Sequence, residues 1–150
     1  MELKVPPVLV FLSFAIVMYL VSVFLPVGFF NFFGRFILAK ILLLCAGLIG
    51  LVSLFQFFRN KTTVDPMNPE KVNQLVTSGL YKYSRNPMYL ALLMVLLALG
   101  LYLGNAFNTL VAAGFVGYMN RFQIIPEERI LLARFGKDFK SYQIATRRWF

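Results

Sequence analysis

The chain contains no histidine, and its single cysteine, Cys45, lies within an apolar stretch. Histidine is the commonest metal ligand and the usual general base near neutral pH, so its absence removes many metal sites and acid–base mechanisms. A lone cysteine cannot form a disulfide within the chain or supply several ligands to a metal. We therefore expect no bound metal, and we interpret Cys45 as a small buried apolar side chain.

Charged residues are also scarce. They make up 14% of the 150 residues, against about 25% in an ordinary soluble domain, whereas hydrophobic residues make up 59%. A chain of this length has too little interior to hide so much apolar surface from water. The composition therefore indicates an integral membrane protein, with residues 1–150 forming one membrane domain.

The net charge of +9 has two interpretations. Basic chains often bind nucleic acid, but the Lys and Arg residues here lie mainly beside the apolar runs, as expected at the ends of membrane spans. We therefore predict membrane lipid as the surroundings and no nucleic-acid partner.

Two apolar segments in the first half of the chain predict membrane-spanning helices, at about residues 6–27 and 36–58. No charge occurs between Lys4 and Arg35, and we expect the first segment to be retained as a span rather than cleaved as a signal peptide. Lys40 lies early in the second segment, where its long side chain can reach the interface.

No charged residue occurs between Arg85 and Arg121, and a single straight helix of that length would overshoot the bilayer. Gly104 and Asn105 form a turn signal near the middle. The pattern predicts a tight helical hairpin with spans at about 88–104 and 106–122. The expected fold is therefore all-α, with about four transmembrane helices.

The remaining polar segments, 59–87 and 123–150, follow even-numbered spans and so lie on one side of the membrane. Of the 15 Lys and Arg residues, only Arg35 and Lys40 fall on the other side. The positive-inside rule therefore places both polar segments and both termini in the cytoplasm.

The C-terminal segment carries helix signals of its own. Pro126 is expected to open a helix, and Gly136 to end it. A second short helix is expected from Asp138 to about Thr146.

The hairpin brings the two polar segments together, so the sequence predicts a site at the cytoplasmic mouth of the hairpin. Glu127 and Glu128 are either ordinary first-turn residues that complement the helix dipole or a site that recognises a cation. Arg85, Asn86 and Tyr89 are either interfacial anchors of a span or part of the same site.

Two stretches carry a resemblance to a known family: residues 73–89, which read NQLVTSGLYKYSRNPMY, and residues 127–142, which read EERILLARFGKDFKSY. Their order, and the span-length gap between them, resemble the isoprenylcysteine carboxyl methyltransferase family. Related membrane enzymes that methylate phospholipids share this layout.

The resemblance implies S-adenosylmethionine as methyl donor, bound in a cytoplasmic pocket formed by the loop before the hairpin and the C-terminal tail. Glu127 would hold the ammonium end of the cofactor, with Glu128 beside it, and Arg121 would face the substrate. No catalytic residue is assigned. The other residues implied to line the cofactor site are Asn73, Gln74, Leu75, Val76, Tyr81, Asn86, Pro87, Met88 and Tyr89.

Asn73 and Asn86 stand where the family has histidines, and Ala91 stands near a family glycine. Asparagine forms hydrogen bonds but does not titrate near neutral pH. The predicted function is methylation of a lipophilic acceptor that enters laterally from the bilayer, a carboxylate such as that of a prenylated cysteine. The alternatives are a phospholipid amine methyltransferase and a non-catalytic membrane protein that retains the fold.

Overall fold

The structure is a computed structural model that describes Leu3 and residues 5–25, 27–59 and 74–150. These ranges are helical and contain no β-strand. The α-helices in this part of the chain are α1 (Pro7–Phe24), α2 (Arg35–Arg59), α3 (Pro87–Leu103), α4 (Asn108–Met119), α5 (Ile125–Phe135) and α6 (Lys137–Ala145). A 3₁₀ helix (Gly79–Lys82) precedes α3, and a π turn (Asn120–Ile124) joins α4 to α5.

Helices α1 and α2 are long and apolar enough to cross a membrane, and α3 is a shorter apolar helix. Only 17% of the most apolar window of α1, and the same share of α2, is buried within the protein. Helices from the core of a soluble protein would be mostly buried, so these two expose apolar surface suited to lipid.

Helices α2 and α3 pack together closely and antiparallel. Gly50 lies opposite Ala91, and the ring of Phe36 meets the edge of Tyr102 near the other end of the pair. Small buried residues recur every seven positions along the contact, which lets the two backbones approach. These residues are Ala39, Ala46 and Ser53 on α2, with Ala91 and Ala98 on α3.

The main apolar core lies between α1, α3 and α4. Met18, Leu96 and Phe115 are fully buried there, one from each helix. The ring of Phe14 meets Phe115 edge to face, with centroids 5.7 Å apart. This core holds the α3–α4 hairpin against α1.

The hairpin turn contacts the loop between α1 and α2. Phe30 N donates to Gly104 O at 2.9 Å, and Ala106 N donates to Gly28 O at 3.0 Å. Gly104 ends α3 with a positive φ of 68°, as glycine readily does. Both connections therefore lie at the same end of the helices, opposite the site described below.

Helix α5 begins at Ile125, one residue before the predicted start at Pro126, and it follows on α4 through the π turn without an intervening loop. In the π turn, Ile125 N donates to Asn120 O, five residues back. Proline has no N–H to donate and normally interrupts an α-helix, but here it follows directly on a turn whose hydrogen bonds are already shifted.

Gly136 ends α5 with a φ of +52°, at the position expected from the sequence. Helix α6 begins one residue before the predicted start at Asp138. Residues 60–73, which include Asn73 and much of the predicted polar segment 59–87, lie outside the described residues.

Candidate functional site

A cavity of about 90 Å³ lies where α3 begins and α5 and α6 approach it. It is open on one side. Its apolar and aromatic walls come from Leu75, Val76, Tyr81, Leu131, Phe139 and Tyr142. Its polar lining comes from Gln74, Arg85, Asn86, Glu127 and Glu128.

Most of the described residues that the sequence assigned to the cofactor site meet at this cavity. They are Gln74, Leu75, Val76, Tyr81, Asn86, Glu127 and Glu128. Pro87, Met88 and Tyr89 do not line it, because they lie in the first turn of α3, where Pro87 and Tyr89 are buried. The side chain of Arg121 is exposed in the π turn and also lies outside the cavity lining.

Glu127 is held by two uncharged partners. The Tyr89 hydroxyl and the Gln123 amide nitrogen each donate to its Oε1 at 2.6 Å. Within the described part of the chain, Oε2 has no such donor, and no cationic side chain pairs with the carboxylate. One carboxylate oxygen is thus fixed in place by two hydrogen bonds, and the other accepts none from a described residue.

Burial raises the pKa of Glu127 to about 7. The hydrogen bonds from Tyr89 and Gln123 favour the charged form and lower the pKa part of the way, whereas the negative charge of Glu128 raises it. A bound cation beside Glu127 would supply the favourable charge that the protein itself does not provide.

Gln123 is buried and was not predicted as a site residue. It precedes Glu127 by four positions, so the two side chains lie on the same face of the helix where the π turn passes into α5. The sequence signal that could have identified Gln123 was its spacing of four positions from Glu127, across the predicted end of a span.

Glu128 has the opposite environment from its neighbour. Its carboxylate forms ion pairs with Arg85 at 2.8 Å and with Arg148 at 2.6 Å. Burial raises the pKa of Glu128, but hydrogen bonds from the two arginines more than offset this and hold the pKa below its usual value. This glutamate is therefore already neutralised by the protein.

The chain just before α3 is bound to the C-terminal tail, an arrangement we call the C-terminal clamp (residues 81–86 against 142–149). Ser84 and Arg147 form a parallel bridge, and Arg85 N donates to Arg147 O at 2.9 Å. The Arg85 guanidinium donates to the carbonyls of Gln143 and Thr146. The clamp fixes the segment that carries Arg85 and Asn86, two of the five polar residues of the cavity lining.

Two further contacts of the clamp involve predicted site residues. The Asn86 side-chain amide donates to Arg148 O at 2.9 Å, and the Tyr142 hydroxyl donates to Tyr81 O at 2.6 Å. Asn86 thus uses its side-chain donor to hold the tail while it borders the cavity.

The arrangement can recognise a small organic cation. A carboxylate without a cationic partner among the described residues lines a cavity that aromatic side chains also line, and both features attract positive charge. No group of three or more His, Cys, Asp or Glu side chains that would hold a metal ion occurs in the described ranges.

Comparison with known proteins bears on the family of the chain. A sequence profile of the family described as phospholipid methyltransferase matches residues 34–138, which is most of the chain. An uncharacterized protein of Haemophilus influenzae is 44% identical over 62 residues, covering 41% of this chain and 98% of that protein. No solved structure matches the chain significantly. The chain therefore belongs to the phospholipid methyltransferase family, a family of membrane methyltransferases that includes members like isoprenylcysteine carboxyl methyltransferase.

Proposed function

We propose that this chain is an S-adenosylmethionine-dependent methyltransferase that acts at the membrane on a lipophilic acceptor. Membership of a methyltransferase family supports the reaction class. The observation that carries the proposal is Glu127, which lines an aromatic-walled cavity and has no cationic partner among the described residues.

In this proposal Glu127 Oε2 holds the ammonium group of the cofactor. Hydrogen bonds to charged groups contribute about 1.5–3 kcal/mol, and the low polarity of the surroundings strengthens the contact. Tyr81, which also lines the cavity, can contribute a cation–π contact to the sulfonium. S-adenosylmethionine supplies an electrophilic methyl group on that sulfonium sulfur.

The size of the cavity limits which part of the cofactor it encloses. Pockets for whole drug-sized ligands measure about 300–1,000 Å³, and this cavity measures about 90 Å³. It therefore receives the ammonium end. The remainder extends through the open side, along the wall formed by Gln74, Leu75 and Val76.

A carboxylate acceptor, such as that of a prenylated cysteine, suits the residues present. It is already ionised near neutral pH and attacks without a general base, so the lack of histidine is no obstacle. The protein contributes orientation and the exclusion of water, with Phe139 and Leu131 forming apolar wall.

A phospholipid amine is the second candidate, favoured by the description of the family that the chain matches. An amine must lose a proton before it can attack. Glu127, with a pKa of about 7, would suit that proton only if another group held the cofactor ammonium.

The proposed topology has four spans within one domain, residues 1–150, with the cavity on the cytoplasmic side. The spans are α1, α2, α3, and α4 continued through the π turn to Ile124. Helix α3 has 17 residues and would reach about 26 Å, close to the roughly 30 Å hydrocarbon core. The distribution of basic residues supports the cytoplasmic placement.

Calorimetric titration of S-adenosylmethionine into the purified protein in detergent and in nanodiscs tests the cofactor. We expect Glu127→Gln to weaken binding by about 10- to 100-fold, because a charge-assisted hydrogen bond is replaced by a neutral one. Asp138→Asn removes an exposed carboxylate outside the cavity and should leave the affinity unchanged. A folded wild-type protein that does not bind would contradict the proposal and favour a non-catalytic role.

Product chemistry then separates the two acceptors. After transfer of an isotopically labelled methyl group to a lipid extract, a methyl ester releases label as methanol in mild base, whereas an N-methylated lipid keeps it. Label that stays on a phospholipid after base treatment would replace the carboxylate acceptor by the amine.

A further inference from the structure

Helix α6 has two opposite faces with different contacts. Phe139 and Tyr142 are buried and line the cavity. Lys137, Lys140 and Ile144 lie at helical spacing on the other side, and all three are exposed, Ile144 to 82%. An aliphatic side chain between lysines therefore projects away from the protein.

The chain before α3 lies beside the C-terminal end of α6. Thr146 Oγ1 donates to Lys82 O at 3.3 Å, and Ser84 forms its bridge with Arg147, so residues 82–84 lie beside the end of α6. Tyr83 is exposed to 74% there. We call the combined surface the interfacial patch, formed by Lys82, Tyr83, Lys137, Lys140, Ile144 and Arg147.

The interfacial patch lies close to the start of an apolar helix. Tyr83 precedes Pro87, the first residue of α3, by four positions, a reach of at most about 14 Å even for an extended chain. Tyrosine is enriched at the level of lipid headgroups, and lysine or arginine side chains commonly surround it there. The patch is therefore within reach of the membrane surface.

The charge of the patch is of one sign. It has four basic side chains and no acidic one, and the nearby Asp138 lies on the flank of α6, away from the direction of Ile144. A basic face with exposed apolar side chains is the combination that binds anionic lipid surfaces.

We propose that the interfacial patch rests on anionic lipid headgroups of the membrane that the protein spans, with Ile144 and Tyr83 inserted between them. Docking holds α6 in place from outside, so Phe139 and Tyr142 keep their positions in the cavity wall. The state of the site thus depends on the lipid composition of the membrane. The docking of the patch goes beyond the proposed function. Only the expected effect of docking on cofactor affinity rests on the proposed function.

Spin labels test the depth of the patch directly. In a Cys45→Ser background, Ile144→Cys is labelled and the full chain is placed in nanodiscs of phosphatidylcholine, with or without phosphatidylglycerol. Asp138→Cys on the flank is the matched control. We expect the label at 144 to be protected from a water-soluble nickel complex and accessible to oxygen when phosphatidylglycerol is present, and the label at 138 to stay accessible to nickel.

Charge variants test the electrostatic part. Each basic residue near an anionic surface favours docking by about fivefold, so Lys140→Gln should shift the docking equilibrium by that factor. Lys40→Gln removes an equal charge from α2, outside the patch, and should have no effect. One molar KCl should also release the label, because it shortens the Debye length to about 3 Å.

Cofactor affinity in the same nanodiscs is measured separately and should be weaker without phosphatidylglycerol. Equal access of nickel to the labels at 144 and 138 in both bilayers would overturn the inference. Protection of the label at 144 only after a protein from crude membranes is added would also overturn it. Lipid-dependent protection at 144 in a protein that binds no cofactor would uphold it while the proposed function fails.

Discussion

At the residue scale, two adjacent glutamates have different electrostatic surroundings and different roles at the site. Glu128 is paired with two arginines and stays charged, while Glu127 has only uncharged partners and a pKa of about 7. Consecutive residues on a helix point about 100° apart, which is enough to place one in the clamp and one in the cavity. The pair is therefore not interchangeable, although the sequence presents the two as equivalent acids.

The raised pKa of Glu127 predicts the pH dependence of stability without cofactor. Its pKa rises from an ordinary 4.5 to about 7 on folding, so the folded state binds the proton more tightly than the unfolded state. The resulting loss of folding stability is absent below pH 4.5, grows as pH rises, and is complete above pH 7. We expect Glu127→Gln to be more stable than wild type by about 2 kcal/mol at pH 8, allowing for solvent screening, and equal to it near pH 4.5.

Thermal unfolding of both proteins between pH 4.5 and pH 8 measures this difference. Glu128 has a lowered pKa, so its contribution is present above its ordinary value and nearly constant through this range. Subtracting the free energy of unfolding of the variant from that of the wild type removes the contribution of Glu128. A difference that does not change with pH would show that folding does not raise the pKa of Glu127.

The predicted residues that line the cavity are those that share a recognisable local pattern, whereas the residues whose contacts depend on the fold were not predicted. Glu127, Asn86 and Tyr81 belong to short stretches that resemble a family. Gln123 and Arg148 lie outside those stretches, and their roles follow from the π turn and from the return of the tail. Such contacts join residues far apart in sequence or across an irregular turn, and no periodicity predicts them.

At the scale of elements, the C-terminal clamp depends on the shape of the Arg85 side chain. Its guanidinium donates to Glu128 and to two carbonyls of the tail at once. Lysine is a point charge and cannot form this fork, so Arg85→Lys should destabilise the clamp by about 3 kcal/mol and weaken cofactor binding. Arg147→Lys, an exposed neighbour that keeps its charge, should behave as wild type.

The single tryptophan reports on the clamp. Trp149 Nε1 donates to Asn120 Oδ1 at 3.0 Å, which ties the tail to the π turn. In Arg85→Lys we expect the emission of Trp149 to move to longer wavelength and its quenching by iodide to increase, while the helical circular dichroism is kept. Unchanged emission together with lost cofactor binding would mean that Arg85 acts in the cavity and not through the tail.

The hairpin turn offers a test of backbone geometry. Gly104 has a φ of 68°, and a Cβ there would collide with the Arg35 guanidinium and approach the Phe30 carbonyl. We expect Gly104→Ala to destabilise the protein by about 1–3 kcal/mol. Gly117→Ala in α4, where a Cβ meets nothing, should be neutral or stabilising. Thermal unfolding of the two variants gives the comparison, and equal melting temperatures would refute the turn geometry.

The positions of the helices were largely predictable because apolar runs and Pro or Gly boundaries are local signals. The predicted spans 6–27, 36–58 and 88–104 correspond to Pro7–Phe24, Arg35–Arg59 and Pro87–Leu103. The continuation of α4 into α5 was not predictable in the same way. Pro126 reads as a helix start, and only the shifted hydrogen bonds of the π turn let the helix pass through it.

At the scale of the whole molecule, the sidedness of the loops can be tested through contacts that join them. The α1–α2 loop and the hairpin turn are linked by an antiparallel bridge between Phe29 and Asn105, so they must share one side of the membrane. Because nearly all basic residues of the described ranges lie at the other end, we expect this side to be outside the cytoplasm.

Single cysteines in a Cys45→Ser background measure the arrangement in intact cells with a membrane-impermeant maleimide. Asn31→Cys and Ala106→Cys are exposed on the two linked loops and should be labelled from outside. Asp138→Cys on α6 should react only after lysis. Protection of the first two with labelling of the third would invert the orientation but keep the fold. Opposite behaviour at 31 and 106 would refute the pairing of the loops, because no single bilayer can separate two segments that are hydrogen-bonded to each other.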